Sequence, residues 1–424
     1  VVVVMMENRS FDHYLGSLSL TEGRTDIDGL TAEMQNPSPD GSPVFVYRED
    51  LACFGDPPHS WNSSHAQFNS GANNGFVKEY HSHGGGDGAH RAMCYLERDQ
   101  LPVLYSLADQ FTVCDQWYSS VMGPTWPNRF YSHGAQSSGE KFNNVDGDYS
   151  FETIYHRLYE AGYDYAAYYN NISFMMLLTD MPGRGRFRGF EEFHEDALAG
   201  KLPNYSVVEP HYGRNCDHPP VHPMAGQLFL ASVLDSLSKS PQWERSLVII
   251  TYDEHGGFFD HVPPPRANDN FASEGFDQLG FRVPSLVVGP YVKERYASHM
   301  VYDHSSILAF LEKLWDLSPL TERDRAANDL FDALDMERIA TKTPRPAPTI
   351  PVVEATEEEL YGAPCGEGYK TGGAHSPASG QSELEIFIDE VARHAPPDRR
   401  DQADALYEQF VTSAESRQLL KRRS

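Results

Sequence analysis

Two stretches of the chain share one pattern, a short unbroken apolar run that stops on carboxylates. The first, Val1-Val2-Val3-Val4-Met5-Met6, runs straight into Glu7-Asn8-Arg9-Ser10-Phe11-Asp12-His13. The second, Ser246-Leu247-Val248-Ile249-Ile250-Thr251-Tyr252, runs into Asp253-Glu254-His255-Gly256-Gly257-Phe258-Phe259-Asp260-His261. Continuous runs rich in β-branched residues predict strands buried on both faces of a parallel sheet. In open α/β sheets ligands gather at the carboxyl ends of such strands. Glu7, Asn8, Asp253 and Glu254 therefore fall where a ligand or metal would be held, and Gly256-Gly257 lets the chain turn tightly just beyond them.

Elsewhere the pattern alternates between helical and extended periods. Leu101 to Gln110 predicts a helix and Phe111-Thr112-Val113-Cys114 a short strand. Residues 151–162 predict an amphipathic helix, 163–169 a strand, and 224–238 a helix leading into the second acidic strand. A further buried strand is expected over 282–288, ended by Gly289-Pro290, and a helix over 305–316. Such alternation implies an α/β fold with a mostly parallel sheet covered on both faces. Residues 17–100, rich in Gly, Asn, Ser, Pro and His, are expected to be long loops over the sheet edge, of the kind that carry specificity. The stretch 341–375 reads as a surface arm and 384–421 as a charged helical tail. The expected division is thus a catalytic domain over 1–340, with a loop-rich insertion around 17–100, and an arm with a helical C-terminal segment over 341–424 packing on the core.

Composition narrows the partners. The chain has 424 residues, 40% hydrophobic and 22% charged, which is globular and leaves room for one large domain or two. A formal charge of -27 argues against nucleic acid, whose phosphates need a basic surface. It also argues against tight binding to anionic membranes, leaving at most transient contact with a membrane surface such as a zwitterionic one. No eighteen-residue apolar stretch and no signal peptide is present. Val1 lies inside a strand, so the native amino terminus is expected upstream, where a removed export signal would have stood. Cys53, Cys94, Cys114, Cys216 and Cys365 lack CxxC spacing, which argues against a zinc–thiolate site. One or two disulfides would suit an exported enzyme and five thiols a cytosolic one. An exported location, periplasmic or secreted, is the expectation, with the cytoplasm left open.

The candidate chemistry follows from residue type. Two adjacent carboxylates at one sheet edge repel unless a cation lies between them. Oxygen-only ligands such as Glu7, Asn8, Asp253 and Glu254 favour a hard divalent ion, Ca2+ or a similar cation. Between the two acidic clusters lies Val121-Met122-Gly123-Pro124-Thr125-Trp126-Pro127-Asn128-Arg129, which suits the first turn of a helix. A hydroxyl there sits in the positive field that favours a phosphate oxyanion. Contact with a metal would turn Thr125 from an ordinary helix cap into a nucleophile.

Five of the 18 histidines stand in suggestive company: His59, His218, His222, His261 and His304. An Asp directly precedes His218, His261 and His304, and nearby carboxylates favour the imidazolium that grips phosphate or protonates a leaving oxygen. The His81–His90 run reads as a mobile loop with no assigned role. Trp61, Trp117 and Trp126 either form an aromatic box for a choline cation or simply pack.

Four of these segments carry a resemblance. Glu-Asn-Arg-Ser-Phe-Asp-His at 7–13, Gly-Pro-Thr-Trp-Pro-Asn-Arg at 123–129, Asp-His-Pro-Pro at 217–220 and Tyr-Asp-Glu-His-Gly-Gly-Phe-Phe-Asp-His-Val-Pro-Pro-Pro at 252–265 resemble the bacterial phospholipase C and acid phosphatase family. The plant non-specific phospholipases C are similar as well. The motifs come in the family's order and cover about residues 1–316. The resemblance implies an alkaline-phosphatase-like three-layer α/β/α sandwich and hydrolysis of phosphoesters. It implies one metal ion on Glu7, Asn8, Asp253 and Glu254, with Thr125 as nucleophile and metal contact. It further implies phosphate contacts from Asn8, His59 and His218, with His304 as another catalytic histidine.

His211 stands where Arg is expected in many members. The long C-terminal extension of the haemolytic enzymes is lacking, which weakens the case for haemolysis. The expected activity is a phospholipase C acting on phosphatidylcholine-like lipids through a phosphothreonine intermediate. An acid phosphatase of broad specificity and a non-catalytic phospholigand-binding module are the alternatives. A sulfatase would need an oxidisable Cys or Ser where Thr125 stands.

Overall fold

The computed structural model describes residues 1–50, 55–183, 186–362, 388–389, 391–393, 396, 399 and 401–423. At its centre are eight strands, in chain order β1 (Val2–Met6), β2 (Thr112–Cys114), β3 (Tyr165–Tyr169), β4 (Phe187–Gly189), β5 (Tyr205–Glu209), β6 (Val248–Tyr252), β7 (Leu286–Val288) and β8 (Tyr296–Ser298). They lie side by side in the order β8-β2-β7-β6-β1-β5-β3-β4. Only β7 runs against its neighbours, antiparallel to both β6 and β2. Every residue of β1, β3, β5 and β6 is buried, so both faces of the sheet centre are covered.

Helices supply the two covers. Pro102–Gln110 and Phe190–Ala199 both pack on Pro223–Ser238, a helix with all but one of its residues buried. Thr125–Gly134 packs on Ile154–Glu160 and on Ser305–Trp315. The fold is thus the expected α/β sandwich with a mostly parallel sheet.

Three expectations need correction. The 282–288 strand is pared to 286–288 and is antiparallel, because Arg282 is drawn into a buried ion network and Pro284 has no N–H to donate. Residues 17–100 are not all loop: Ser60 caps a helix over Trp61–Phe68 by accepting from the Ser63 N–H, and a second helix covers Phe76–Tyr80. Their mixed polar composition hides the apolar stripe. The His81–His90 run forms short helical turns over 81–85 and 86–93.

The C-terminal helix Ala403–Ser416 sets Phe410 against Phe190, with ring centroids 5.8 Å apart, and Tyr407 against His211 at 5.4 Å. Leu420–Arg422 pairs in parallel with Val353–Ala355. Parts of the expected 341–375 arm and 384–421 tail lie outside the described residues. Cys94, Cys114 and Cys216 are free and buried, while Cys53 and Cys365 lie outside the described residues.

Candidate active site

The register of the two central strands builds the site. Met6 of β1 pairs with Tyr252 of β6, so the next residues, Glu7 and Asp253, leave adjacent strands side by side. The Asn8 N–H donates to Asp253 Oδ1 at 2.9 Å, and the Arg9 N–H donates to the Glu254 carbonyl at 3.0 Å. Asn8 has φ +58°, a left-handed turn that Asn tolerates better than most residues. Gly256 must be glycine. It has φ +62°, and a Cβ there would stand 2.1 Å from the Asn8 carbonyl oxygen.

All four acidic-cluster residues are buried, and their polar atoms divide into two sets. Asp253 is engaged on both oxygens, with Oδ1 accepting from the Asn8 and Glu254 amides and Oδ2 accepting from Arg129 Nε at 3.2 Å. By contrast, Glu7 Oε2, Asn8 Oδ1 and Glu254 Oε1 are buried without a hydrogen-bond partner among the described residues. The Cys216 thiol, a weak donor, neighbours Glu7, and Arg129 Nη2 lies 3.5 Å from its Oε1. Burial pushes the Glu7 carboxyl up to about 6 despite Arg129, and pushes Glu254 well above the usual carboxylate range. Orphaned oxygens on acids that resist ionising are what a cation would relieve.

Thr125 opens the helix Thr125–Gly134, whose ten residues are all buried. Asn128 ties down the approach, its Oδ1 accepting from the Val121 N–H and its Nδ2 donating to the Gly123 and Pro124 carbonyls. Among the described residues the Thr125 hydroxyl makes no hydrogen bond. One helical turn on, Arg129 lies on the same helix face and reaches Asp253, which turns that face toward the acidic cluster.

The histidines divide as well. His59 donates from Nδ1 to the Pro57 carbonyl at 2.8 Å, leaving Nε2 to accept from Asn8 Nδ2 at 3.1 Å. His218 donates from Nδ1 to the Pro219 carbonyl at 2.6 Å, leaving Nε2 available, and its ring meets His59 edge-on at 6.1 Å. Ligand atoms of Asp56, His59 and His218 lie within 4.8 Å of one another, a second grouping beside the first. With each Nδ1 held as a donor to a carbonyl, the Nε2 atoms are lone-pair acceptors, the form that ligates a metal, and an anion is gripped only by a protonated ring.

His304 has both nitrogens occupied: Nε2 donates to the Asp253 carbonyl at 2.6 Å and Nδ1 accepts from the Trp117 indole. Burial holds it below the ordinary histidine range. His261 stands apart, paired with Asp12 at 2.7 Å, and His222 caps the helix Pro223–Ser238. None of the three Asp-His dipeptides pairs with itself. His211 reaches the Ala403 carbonyl at 2.9 Å, held by the C-terminal helix.

The tryptophans do not form a box. Trp117 packs on Tyr302 and Trp126 on Tyr149, while the face of Trp61 is covered by the Lys141 ammonium at 4.7 Å. Two residues beyond the expected set enter the site: Arg129, and Tyr212, whose hydroxyl accepts from Arg129 and donates to Glu209. A cavity of about 670 Å³ lies against Val1, Tyr165 and Ser246, at the opposite end of the strands, and no buried polar atom without a partner lines it.

The profile of the Phosphoesterase family matches residues 1–318. The chain belongs to that family. As a phosphoesterase it is a hydrolase acting on phosphoester bonds. It is 39% identical over 370 residues to a protein named non-specific phospholipase C1 from Arabidopsis thaliana, covering 76% of this chain and 68% of that one. It is 30% identical over 379 residues to phospholipase C B from Mycobacterium tuberculosis, covering 73% and 72%. A hemolytic phospholipase C from Pseudomonas aeruginosa is 28% identical, and the alignment spans 85% of this chain but 59% of that protein. Among solved structures, a protein in the alkaline phosphatase superfamily from Vibrio parahaemolyticus overlaps 53% of this phosphoesterase and 64% of its own chain, with 16% identity and a TM-score of 0.37. No helix among the described residues of the phosphoesterase is long and apolar enough to cross a membrane.

Proposed function

We propose that this phosphoesterase is a metal-dependent phospholipase C that cleaves phosphatidylcholine-like lipids through Thr125. The observation that carries the reading is the set of orphaned oxygens on Glu7, Asn8 and Glu254, at the edge toward which the Thr125 helix face turns. Those residues, with Asp253 and the Thr125 hydroxyl, would hold a divalent ion. Asp253 can join because a carboxylate offers about four acceptor sites. When bound, the ion would supply Lewis-acid charge that eases ionisation of the Thr125 hydroxyl.

The chain's own residues do the rest in this reading. Thr125 Oγ attacks phosphorus in line, its proton passing to His218 Nε2, and a phosphothreonine forms. The Asn8 amide, oriented by its hydrogen bond to His59, holds a phosphate oxygen through its second N–H. His218 Nε2, the free ring nitrogen, hands the Thr125 proton to the diacylglycerol oxygen as its bond to phosphorus breaks. Water then attacks phosphorus, its proton passing through His218 to Thr125 Oγ as that bond breaks, and phosphocholine leaves. The amino terminus of Thr125–Gly134 adds a fixed positive field. His304 acts one step back, as a positioning residue on the Asp253 carbonyl.

The named relatives favour phospholipid over monoester substrates. One observation favours the acid-phosphatase alternative: the tryptophans are packed and Trp61 already carries Lys141, so they offer no cage for choline. Assay of the purified protein on phosphatidylcholine and on p-nitrophenyl phosphate, each with and without chelator, separates the readings. Chelator-sensitive phosphocholine release with little nitrophenol is the expected result. Nitrophenol alone would make it a phosphomonoesterase, and silence on both with added metals would favour a binding module.

A further inference from the structure

We propose that the loop over residues 140–147 is where the phosphoesterase docks on a zwitterionic phospholipid surface, with Phe142 and Val145 as its apolar anchors. The inference rests on the phospholipase reading above. The loop stands against the end of the helix that carries Thr125. Asn143 Oδ1 accepts from the Trp126 N–H at 2.9 Å, one residue on from the hydroxyl. A Cβ at Gly123 would lie 3.2 Å from the Trp61 ring and 3.7 Å from the Lys141 carbonyl, so the loop also borders the turn that leads into the helix. Just beyond the loop, Tyr149 returns the chain to the core, buried and stacked on Phe130 with ring centroids 4.1 Å apart.

Between these fixed ends the loop is tied to itself, and its apolar side chains stay outside. The Glu140 carboxylate accepts from the Lys141 N–H at 3.1 Å, the Phe142 N–H at 3.4 Å and Asn144 Nδ2 at 2.7 Å. The Tyr149 hydroxyl donates to the Asn144 carbonyl at 2.7 Å. Phe142 is nevertheless 50% exposed and Val145 40%. One exposed apolar residue is ordinary on any surface. Two on one braced loop, either side of the residue that holds the Thr125 helix, make an apolar prominence beside the site. Met300 and Val301, exposed at 40% each, leave β8 at the same edge of the sheet, since β8 runs in the direction of β6.

Charge selects the kind of surface. Lys141, the loop's one cation, folds back over the Trp61 ring at 4.7 Å and the Phe276 ring at 5.7 Å. What faces solvent beside Phe142 and Val145 is therefore acidic, with Asp146 and the nearby Asp148 both exposed. The outermost charge of a choline headgroup is its trimethylammonium, which carboxylates attract, whereas an anionic headgroup would be repelled. Apolar anchors with an acidic rim thus fit a phosphatidylcholine surface.

Flotation with phosphatidylcholine vesicles, and initial rates on the same vesicles, read the docking. Dihexanoyl phosphatidylcholine below its micelle concentration is a monomeric substrate and reads the chemistry alone. The double variant Phe142→Ser, Val145→Ser is expected to need about tenfold more vesicles, or above, for half-maximal rate. Its maximal rate and its rate on the monomer should match the wild type. Phe142→Trp should keep wild-type rates, and its emission should be quenched by brominated phosphatidylcholine beyond the wild-type level. Wild-type vesicle affinity in the folded double variant would overturn the proposal, as would an equal fall on vesicles and monomer, or no added quenching in Phe142→Trp. Should the double variant fail to fold, the quenching still decides. A wild type that cleaves neither form of phosphatidylcholine would sink the phospholipase reading itself, while flotation and quenching, which need no turnover, would still decide the docking.

Discussion

Thr125 is distinguished by what its neighbours do for it. Asn128 pins the loop before it, Arg129 orients the helix against Asp253, and its own hydroxyl has no partner among the described residues. Thr125→Val keeps the shape and removes only the hydroxyl. It should lower turnover by at least ~10³-fold while shifting stability by less than about 1 kcal/mol, as read from initial rates and thermal melts. Substantial residual turnover would end the covalent route. Gly256 acts through the backbone alone. Gly256→Ala should destabilise by at least about 2 kcal/mol, because the new Cβ collides with the Asn8 carbonyl at a positive φ. Rates should fall further than the melt accounts for, since Asn8 is displaced with its amide. At this scale the sequence announces residue types but not their commitments. Arg129 stood in plain view within a quoted motif, yet nothing in one dimension says that its guanidinium lies between Glu7 and Asp253. Likewise the Asp before His304 suggests a pair, while the fold gives that histidine to the Asp253 carbonyl instead.

Strands with pure apolar runs, β1 and β6, can be read from sequence because burial on both faces leaves no room for polar residues. Their carboxyl ends locate the site for the same reason. β5 is harder to see, since Ser206 interrupts Tyr205-Ser206-Val207-Val208, although Glu209 closes it in the same way as Glu7 and Asp253 close theirs. β4 and β8 are three residues each, too short for any period to register. The turn after β6 carries its own ion network, which periodicity cannot show. Buried Arg282 donates to Asp12 and Asp260, and His261 pairs with Asp12 at 2.7 Å and Asp28 at 3.1 Å. Burial alone would lower His261, but Asp12 and Asp28 outweigh it and raise it to about 10, against an ordinary 6.5. The native state therefore keeps this proton longer than the unfolded chain does. Its stabilisation is complete below the ordinary value and is lost as pH rises through about 10, by at most about 5 kcal/mol. Melts of wild type and His261→Gln should differ most near pH 6 and converge toward pH 10. A gap that does not change with pH would mean that the ring contributes packing only.

For the whole molecule, the excess of acid sets how a buried site meets a lipid surface. The chain carries a formal charge of -27, while its buried site, on the proposed reading, sets Arg129 and a divalent ion beside its carboxylates. The acidic exterior is therefore free to act on approach without weakening phosphate binding inside. A zwitterionic bilayer presents no net field, so association with it should depend little on salt. A bilayer doped with an anionic lipid should repel the chain at low ionic strength, and screening should remove the penalty once the Debye length falls to about 3 Å near 1 M salt. Initial rates on phosphatidylcholine vesicles, with and without phosphatidylserine and at low and high salt, measure this directly. The expected pattern is equal rates on the two vesicle types at high salt and a several-fold deficit on the anionic ones at low salt. The same deficit at both salt levels would place the discrimination in the site, with its histidines and Asn8, rather than in the field of the whole chain.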